Sequence, residues 1–281
     1  MNLHTIDTGL FKLDGGAMFG VVPKMIWNRN QPADENNMCT WAMRCLLVEE
    51  GNRLILIDTG IGDKQDEKFF SYYYLHGNDS LEKSLNAKGF SKADITDVFL
   101  THLHFDHAGG AAQWNKDRTG FECSFPNAKY WTNEAHWNHA IKPNVREKAS
   151  FLKDNLLPIQ ESGQLNFLKE GESLMPGFDT WFVNGHTEQM MLPKIKMGDK
   201  TLVYMADLIP SRFHVQSNYV MGYDIRPLDT MRERDQFHQE AIDNNYVMFF
   251  EHDPSVECGT VQMTERGARL GETFSLADLG K

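Results

Sequence analysis

Residues Thr101–Gly110 form the sequence THLHFDHAGG, which places four potential metal ligands within six positions: His102, His104, Asp106 and His107. In an extended segment His102 and His104 point to the same side, because side chains alternate along the chain. Asp106 and His107 come after the turn and can face a second position nearby. Neutral imidazole and carboxylate groups suit zinc, and also iron, manganese or cobalt. We therefore predict that this loop offers two ligands to each of two metal ions.

The other candidate ligands follow short apolar runs elsewhere in the chain. Each run is rich in β-branched and aromatic residues and ends at turn or polar residues, which is typical of a buried strand. The runs are Arg53–Asp58, Val98–Thr101, Thr180–Val183, Thr201–Met205 and Tyr246–Phe250. His186, Asp207 and His252 come just after the last three runs. Because strands in a sheet bring their ends together, we expect these groups to meet at one rim.

Helical patterns lie between the predicted strands. Ser80 is a predicted N-cap for a helix that Gly89 ends. The segments Asn133–Leu156, with a break near Pro143, and Asp229–Asn244 also have helical character, and the second should lie on the surface. Strands that alternate with helices indicate a layered α/β domain.

The composition limits the class of partner and the compartment. An apolar fraction of 41% over 281 residues is enough for one large domain or two small ones. The formal net charge of -11 would repel phosphate backbones and anionic membranes, so nucleic acid and membrane are poor partners. The four cysteines form no CxxC pair, and no apolar run has the roughly 18 residues that a spanning helix needs. We expect a cytoplasmic protein with reduced thiols and a small-molecule substrate.

Taken together, these motifs resemble the metallo-β-lactamase superfamily, from LILIDTGIG at Leu54–Gly62 to EHD at Glu251–Asp253. The HxHxDH run is the most specific feature. A glycine-histidine pair, an aspartate and a final histidine then follow in the order of the family. The resemblance implies an α/β fold, the αββα four-layer sandwich of this superfamily, as a single domain over residues 1–281. It also implies a site at one edge of the two sheets.

The resemblance further implies two sets of three ligands, one for each of two divalent metal ions, most simply zinc. The first set is His102, His104 and His186, and the second is Asp106, His107 and His252. Asp207 would bridge the two ions. Asp58 would be an acid that hydrogen-bonds to the ligands and orients them. Asp106 and Asp207 would be the catalytic carboxylates.

Within the superfamily, ADLIPSRFHVQ and the later Tyr223-Asp224 pair resemble the methyl parathion hydrolase and lactonase branch. This likeness implies hydrolysis of a lactone, a carboxylic ester or a phosphotriester by a hydroxide held between the metals. The chain departs from the branch in two places. It reads GHTEQM over Gly185–Met190, so Gln189 and Met190 stand where the branch commonly has a second glycine-histidine pair. It has Pro210 where many lactonases carry a tyrosine three residues after the bridging aspartate.

Several apolar and aromatic residues near the ligands are candidates for the substrate pocket, namely Phe105, Ile209, His214 and Tyr223. Tyr223 or His214 could take the place of the missing tyrosine. Two other activities share the ligand motif, a glyoxalase II-like thioesterase and a mononuclear iron persulfide dioxygenase. A non-catalytic ligand-binding protein is the third alternative. The resemblance also suggests a homodimer.

Two other groups of residues are assigned non-catalytic roles from the sequence. His136 and His139 lie three positions apart on a predicted helix, and we expect them on a solvated face because no acid or cysteine cluster accompanies them. Met18, Phe19 and Trp27 could form a lid or a dimer contact, but core packing is their more frequent role.

Overall fold

The protein, described here by a computed structural model over residues 1–279, has mixed α/β structure in two compact units. The first unit comprises Met1–Gly9 and Met43–Glu172, and the second comprises Leu10–Ala42 and the chain from Ser173 onward. The single domain over residues 1–281 stays a prediction.

The described residues form strands and helices along the whole chain. The strands are β1 (Asn2–Asp14), β2 (Met38–Glu50), β3 (Arg53–Ile57), β4 (Asp97–Phe99), β5 (Ala112–Trp114), β6 (Phe121–Cys123), β7 (Lys129–Thr132), β8 (Leu165–Phe167), β9 (Phe178–Val183), β10 (Met190–Met197), β11 (Lys200–Tyr204), β12 (Tyr246–Phe249), β13 (Cys258–Thr264) and β14 (Gly267–Phe274). The α-helices are α1 (Gly15–Phe19), α2 (Lys24–Trp27), α3 (Glu67–Ser71), α4 (Leu81–Ala87), α5 (Phe105–Ala108), α6 (Glu134–Ile141), α7 (Lys153–Glu161) and α8 (Pro227–Asp243). Short 3₁₀ helices cover Lys92–Asp94, Gly109–Ala111, Arg212–His214 and Leu276–Asp278.

The first six-stranded sheet has the order β1-β2-β3-β4-β7-β8. Strands β3, β4, β7 and β8 are parallel to one another, so their carboxyl ends meet at one edge. Ile57 pairs with Phe99 across β3 and β4. The chain therefore leaves these two strands side by side, at Asp58 and at the loop that carries His102.

The second six-stranded sheet has the order β14-β13-β12-β11-β10-β9. Strands β11 and β12 are parallel, with Tyr204 opposite Phe249, whereas β9 and β10, and β10 and β11, are antiparallel. Strands β9, β11 and β12 therefore run in the same direction. Their carboxyl ends precede His186, Asp207 and His252, so these three residues leave the sheet at the same edge.

The sequence patterns identify these elements to within a few residues. Ser80 caps α4 through its hydroxyl, which accepts the backbone N–H of Lys83 at 3.3 Å, and Gly89 follows with φ +86°. The region around Pro143 separates α6 from α7, as the break in the helical pattern predicts. Among residues 1–279, no helix has both the length and the apolar character that crossing a bilayer requires.

Apolar residues on both sides of the ligand loop anchor it in the core of the first unit. Val98, Leu100, Leu103 and Ala108 are buried in one hydrophobic cluster with Ile6, Leu56 and other core residues. Full burial of a leucine side chain is worth about 1.5–3 kcal/mol. These apolar residues thus anchor the ligand loop in the core.

Candidate metal centre

The loop after β4 brings four predicted ligands close together within the first unit. His104 stands at the N-terminal end of α5, and Asp106 and His107 lie on this short helix. The ring centroid of His102 is 4.6 Å from that of His104 and 3.9 Å from that of His107. All four side chains are buried, so the charged form of Asp106 needs a compensating positive charge.

Asp58 and Thr101 determine which nitrogen atom of two histidines is available to a metal. The carboxylate of Asp58 accepts the backbone N–H of Thr101 at 2.8 Å, its hydroxyl at 2.7 Å and the Nδ1–H of His107 at 3.1 Å. The hydroxyl of Thr101 also lies 3.1 Å from Nδ1 of His102, and because its proton points to Asp58, its oxygen accepts the Nδ1–H of His102. Both imidazoles therefore keep an Nε2 lone pair for a ligand bond.

Two glycines after the ligand helix allow the chain to pass close to the loop that follows Asp58. A Cβ atom at Gly109 would lie 2.1 Å from the carbonyl oxygen of Ile61, and one at Gly110 would lie 2.2 Å from that of Thr59. Larger residues therefore cannot occupy these positions without displacing the backbone. The buried ammonium group of Lys64 donates to the carbonyl of Gly109, and burial lowers the pKa of Lys64 to about 8.

A buried glutamate near His104 was not identified from the sequence. Glu147 lies 3.8 Å from Nε2 of His104 and accepts a hydrogen bond from Nε2 of His139 at 2.8 Å. The expectation of a solvated face is wrong for His136, which is fully buried and accepts the backbone N–H of Leu103 at 2.9 Å. The helix that carries both histidines thus supports the ligand loop from behind. No local pattern in the sequence distinguishes Glu147 from a surface acid.

In the second unit, Asp207 lies between two of the predicted ligands. One carboxylate oxygen is 3.0 Å from Nε2 of His186, and the other is 3.0 Å from Nε2 of His252. Asp207 follows Ala206, a non-glycine residue in the left-handed region with φ +41°. Each oxygen of the carboxylate therefore has its own imidazole neighbour in a buried environment.

The far nitrogen of each of these histidines is also fixed. Nδ1 of His186 is 2.8 Å from a carboxylate oxygen of Asp224, and Nδ1 of His252 is 2.8 Å from the carbonyl oxygen of Ala42. Burial alone would lower the pKa of His186, but the carboxylates of Asp207 and Asp224 raise it to about 10. The sequence shows Asp224 only as part of a Tyr-Asp pair, and its contact with His186 was not predicted.

The turn that carries His186 is held by helix α8. The carboxylate of Glu233 accepts the backbone N–H groups of Asn184 at 2.6 Å and Gly185 at 3.0 Å. A Cβ atom at Gly185 would lie 2.3 Å from the backbone nitrogen of Thr230, so only glycine fits between the turn and the helix. The polar face of α8 is therefore part of the support for this ligand.

The same helix also holds the segment after Asp207. Arg234 is fully buried and donates to the carbonyl oxygens of Leu208 and Tyr219, each at 2.7 Å. Burial lowers the pKa of Arg234 to about 10, although the charges of Asp224 and Asp207 oppose that shift.

A family model for the metallo-beta-lactamase superfamily matches residues 44–252, which contain all the candidate ligands described above. The chain belongs to this superfamily. The predicted α/β metallo-β-lactamase fold is thereby confirmed, and so is the interpretation of the sequence as a metal-dependent hydrolase of this superfamily. Groups of buried His and Asp side chains with the donor spacing of a metal site are present among residues 1–279.

The relatives of this superfamily member include lactonases. An N-acyl homoserine lactonase of Bacillus cereus is 24% identical over 243 residues, which are 81% of this chain and 86% of the relative. A probable metal-dependent hydrolase from Staphylococcus aureus superposes with a TM-score of 0.88 at 27% identity, over 99% of this chain and 98% of that chain. AidC, a dizinc quorum-quenching lactonase solved with a product, superposes with a TM-score of 0.77 at 25% identity, over 97% and 95% of the two chains.

The predicted pocket residues of this superfamily member have different environments. Ile209 and His214 are fully buried, and both ring nitrogens of His214 have partners, the hydroxyl of Ser211 at 2.8 Å and the carbonyl oxygen of Met18 at 2.9 Å. Burial lowers the pKa of His214 to about 3. The structure thus gives His214 a packing role, whereas Tyr223 is 38% exposed.

The aromatic residues near the N-terminus also belong to the core of the second unit. Phe19 stacks on His214 with ring centroids 4.9 Å apart and on Trp27 with centroids 5.2 Å apart. Met18, Phe19 and Trp27 are all buried. The idea that these residues form a lid or a dimer contact is therefore wrong, and packing is their role.

Proposed function

We propose that this chain is a dinuclear metallohydrolase that opens lactones, and that the seven residues predicted from the sequence hold its metal ions. These are His102, His104, Asp106, His107, His186, Asp207 and His252. The observation that carries the proposal is the carboxylate of Asp207, which has an imidazole nitrogen 3.0 Å from each of its oxygens. A carboxylate with this environment is suited to bridge two cations.

The chemistry of the donor set fits divalent ions of the zinc type. Four imidazoles, those of His102, His107, His186 and His252, have Nδ1 beside an oxygen atom and leave Nε2 for a metal. This arrangement fixes the tautomer and the ring direction, as it does at known zinc sites. Zinc is the proposed metal, with iron, manganese and cobalt as alternatives that the same ligands would accept.

Each catalytic group has a proposed task in hydrolysis. When bound, two divalent ions lower the pKa of water to about 7 and stabilise negative charge on the attacked substrate oxygen. Asp106 would orient the attacking water, and Asp207 would fix the separation of the two ions. Asp58 would keep the ring of His107 in its ligand orientation through the 3.1 Å hydrogen bond to Nδ1.

Lactones are the first choice of substrate because relatives of this chain are named as lactonases. Phe105, between His104 and Asp106 in the sequence, is the proposed apolar contact for the substrate. Carboxylic esters and phosphotriesters undergo the same attack on an electrophilic centre and belong in the same assay panel.

The test measures the rate of substrate hydrolysis by the chain at known metal content, before and after a chelator removes the metal. We expect about two zinc ions per chain and turnover of acyl homoserine lactones that is lost on chelation and restored by zinc. Asp207→Ala should lose both tight zinc binding and at least about 10³-fold in turnover. The matched control Asp199→Ala changes an exposed turn and should alter neither.

Other outcomes would contradict the proposal in distinguishable ways. A single iron ion together with oxygen uptake in the presence of a persulfide would identify the dioxygenase alternative. Turnover of thioesters alone would favour the glyoxalase II-like alternative. Silence across lactones, aryl esters and phosphotriesters in a fully loaded sample would favour a non-catalytic ligand-binding protein.

Homodimer formation and a cytoplasmic location also remain proposals. The four cysteines are buried and free, which suits a reducing compartment. Light scattering at several protein concentrations would measure the oligomeric state.

A further inference from the structure

Three aromatic side chains pack together beside the ligand loop in the first unit. The ring of Tyr73 is 4.7 Å from that of Phe105 and 5.1 Å from that of Phe69, measured between centroids, and Phe69 is 5.4 Å from Phe105. Phe105 lies directly between the ligands His104 and Asp106 in the sequence. The ring of Tyr73 is therefore held against Phe105, whose neighbours along the chain on both sides are predicted metal ligands.

Tyr73 differs from the tyrosines on either side of it. Tyr72 and Tyr74 are 59% and 48% exposed, whereas Tyr73 is half-buried in the aromatic cluster. The backbone N–H of Tyr73 donates to Phe70 at 3.0 Å as helix α3 ends, and Tyr74 takes a left-handed conformation with φ +46°. This turn directs only the middle tyrosine of the three toward the ligand loop.

The hydroxyl group of Tyr73 is available to a substrate. Within residues 1–279, it makes no hydrogen bond to another residue. A phenol hydroxyl can act as a hydrogen-bond donor.

Two of the three positions that the sequence suggested for a catalytic hydroxyl or imidazole cannot supply a hydrogen-bond donor to the substrate. Pro210, where many lactonases of the branch carry a tyrosine, has no hydroxyl group. Both ring nitrogens of His214 already have partners. Tyr223 is the remaining residue that the sequence suggested, and it serves as a competing variant in the experiment.

We propose that the hydroxyl of Tyr73 donates a hydrogen bond to the substrate oxygen that gains negative charge during hydrolysis. This role rests on the proposed function. A donor aimed at a developing oxyanion stabilises the transition state more than the bound substrate, so its loss lowers kcat rather than raising KM.

The experiment compares Tyr73→Phe with Tyr72→Phe, Tyr74→Phe and Tyr223→Phe, all loaded with zinc and assayed on the best substrate of the panel. Phenylalanine keeps the ring contacts of Tyr73 and removes only the hydroxyl. We expect Tyr73→Phe to lower kcat by about 10²-fold, to change KM by less than about threefold, and to leave zinc content and Tm unchanged. Tyr72→Phe and Tyr74→Phe should keep wild-type kcat, and Tyr223→Phe tests the competing position of the donor.

The results separate this inference from the proposed function. Inactivity of the wild-type chain on the whole panel would overturn the proposed function and, with it, this role. An active wild type with normal kcat in Tyr73→Phe would overturn the role of Tyr73 alone. A loss confined to Tyr223→Phe would assign the donor to Tyr223 instead, and a loss of zinc in Tyr73→Phe would show a structural role.

Discussion

Replacing Asp224 with asparagine tests whether the support of His186 determines metal affinity. The carboxylate of Asp224 faces two donors, Nδ1 of His186 at 2.8 Å and the backbone N–H of Met221 at 3.3 Å. A carboxylate accepts from both, but an amide has one acceptor oxygen and presents N–H groups on its other side. In Asp224→Asn, the amide N–H groups would therefore face either the Nδ1–H of His186 or the backbone N–H of Met221, and this contact between two donors would be buried.

The expected loss follows from the position of Asp224 behind His186, a proposed metal ligand. Removal of such a partner typically costs 10- to 100-fold in metal affinity, which corresponds to about 1.4–2.7 kcal/mol. We expect the loss to lie toward the upper end, because Asp224 is buried and also provides the negative charge that strengthens the hydrogen bond.

The assay is a zinc titration of the chelator-treated chain in competition with a chromophoric chelator of known affinity. The matched control Asp199→Asn removes the same charge from an exposed turn and should bind zinc as the wild type does. Circular dichroism would establish that Asp224→Asn is folded. A folded Asp224→Asn chain with zinc affinity within threefold of the wild type would refute the reasoning.

Two further predictions concern stability. Burial lowers the pKa values of His214 and His238 to about 3 and about 4 from an ordinary value of 6.5, so only the unfolded chain takes up these protons below that pH. As the pH falls from about 6 to about 4, the free energy of unfolding should therefore decrease by about 1.4 kcal/mol per pH unit for each histidine. Urea titrations at several pH values measure this slope, and His238→Gln should remove the contribution of one histidine. The same slope in wild type and His238→Gln would contradict this prediction. The Cβ of Gly109→Ala would lie 2.1 Å from a backbone oxygen, so this variant should lower the free energy of unfolding by about 3 kcal/mol or more. The control Gly120→Ala, whose Cβ would have its nearest neighbour at 3.8 Å, should unfold with a free energy within about 0.5 kcal/mol of the wild type in the same assay.

The elements and candidate ligands could be predicted because their signals are local. A run such as Tyr246–Phe250 identifies a buried strand by its composition, and the position of His252 just after it follows directly. The HxHxDH run likewise needs no knowledge of tertiary structure. Several strand ends were misplaced by one or two residues, since β-pairing and not composition decides where a strand begins.

The partners that orient the ligands could not be predicted in the same way. Asp224, Glu147 and Glu233 act on residues that are between 38 and 49 positions away along the chain. Their contacts depend on how helices pack on sheets, and an isolated acid in the sequence does not reveal its partner. His214 was suggested as a pocket residue because it lies near the predicted ligands in the sequence, and the sequence could not show that its side chain is fully buried with both ring nitrogens hydrogen-bonded.

Helix α8 has a consequence for how the chain would release metal. One surface of this helix holds the turn of His186 through Glu233 and the segment after Asp207 through Arg234. Unwinding of α8 would therefore free two ligands in a single event instead of loosening them one at a time. Dissociation of zinc should accordingly follow the opening rate of this helix, which amide hydrogen exchange measures, and substitutions on its outer surface would tune how long the enzyme stays loaded.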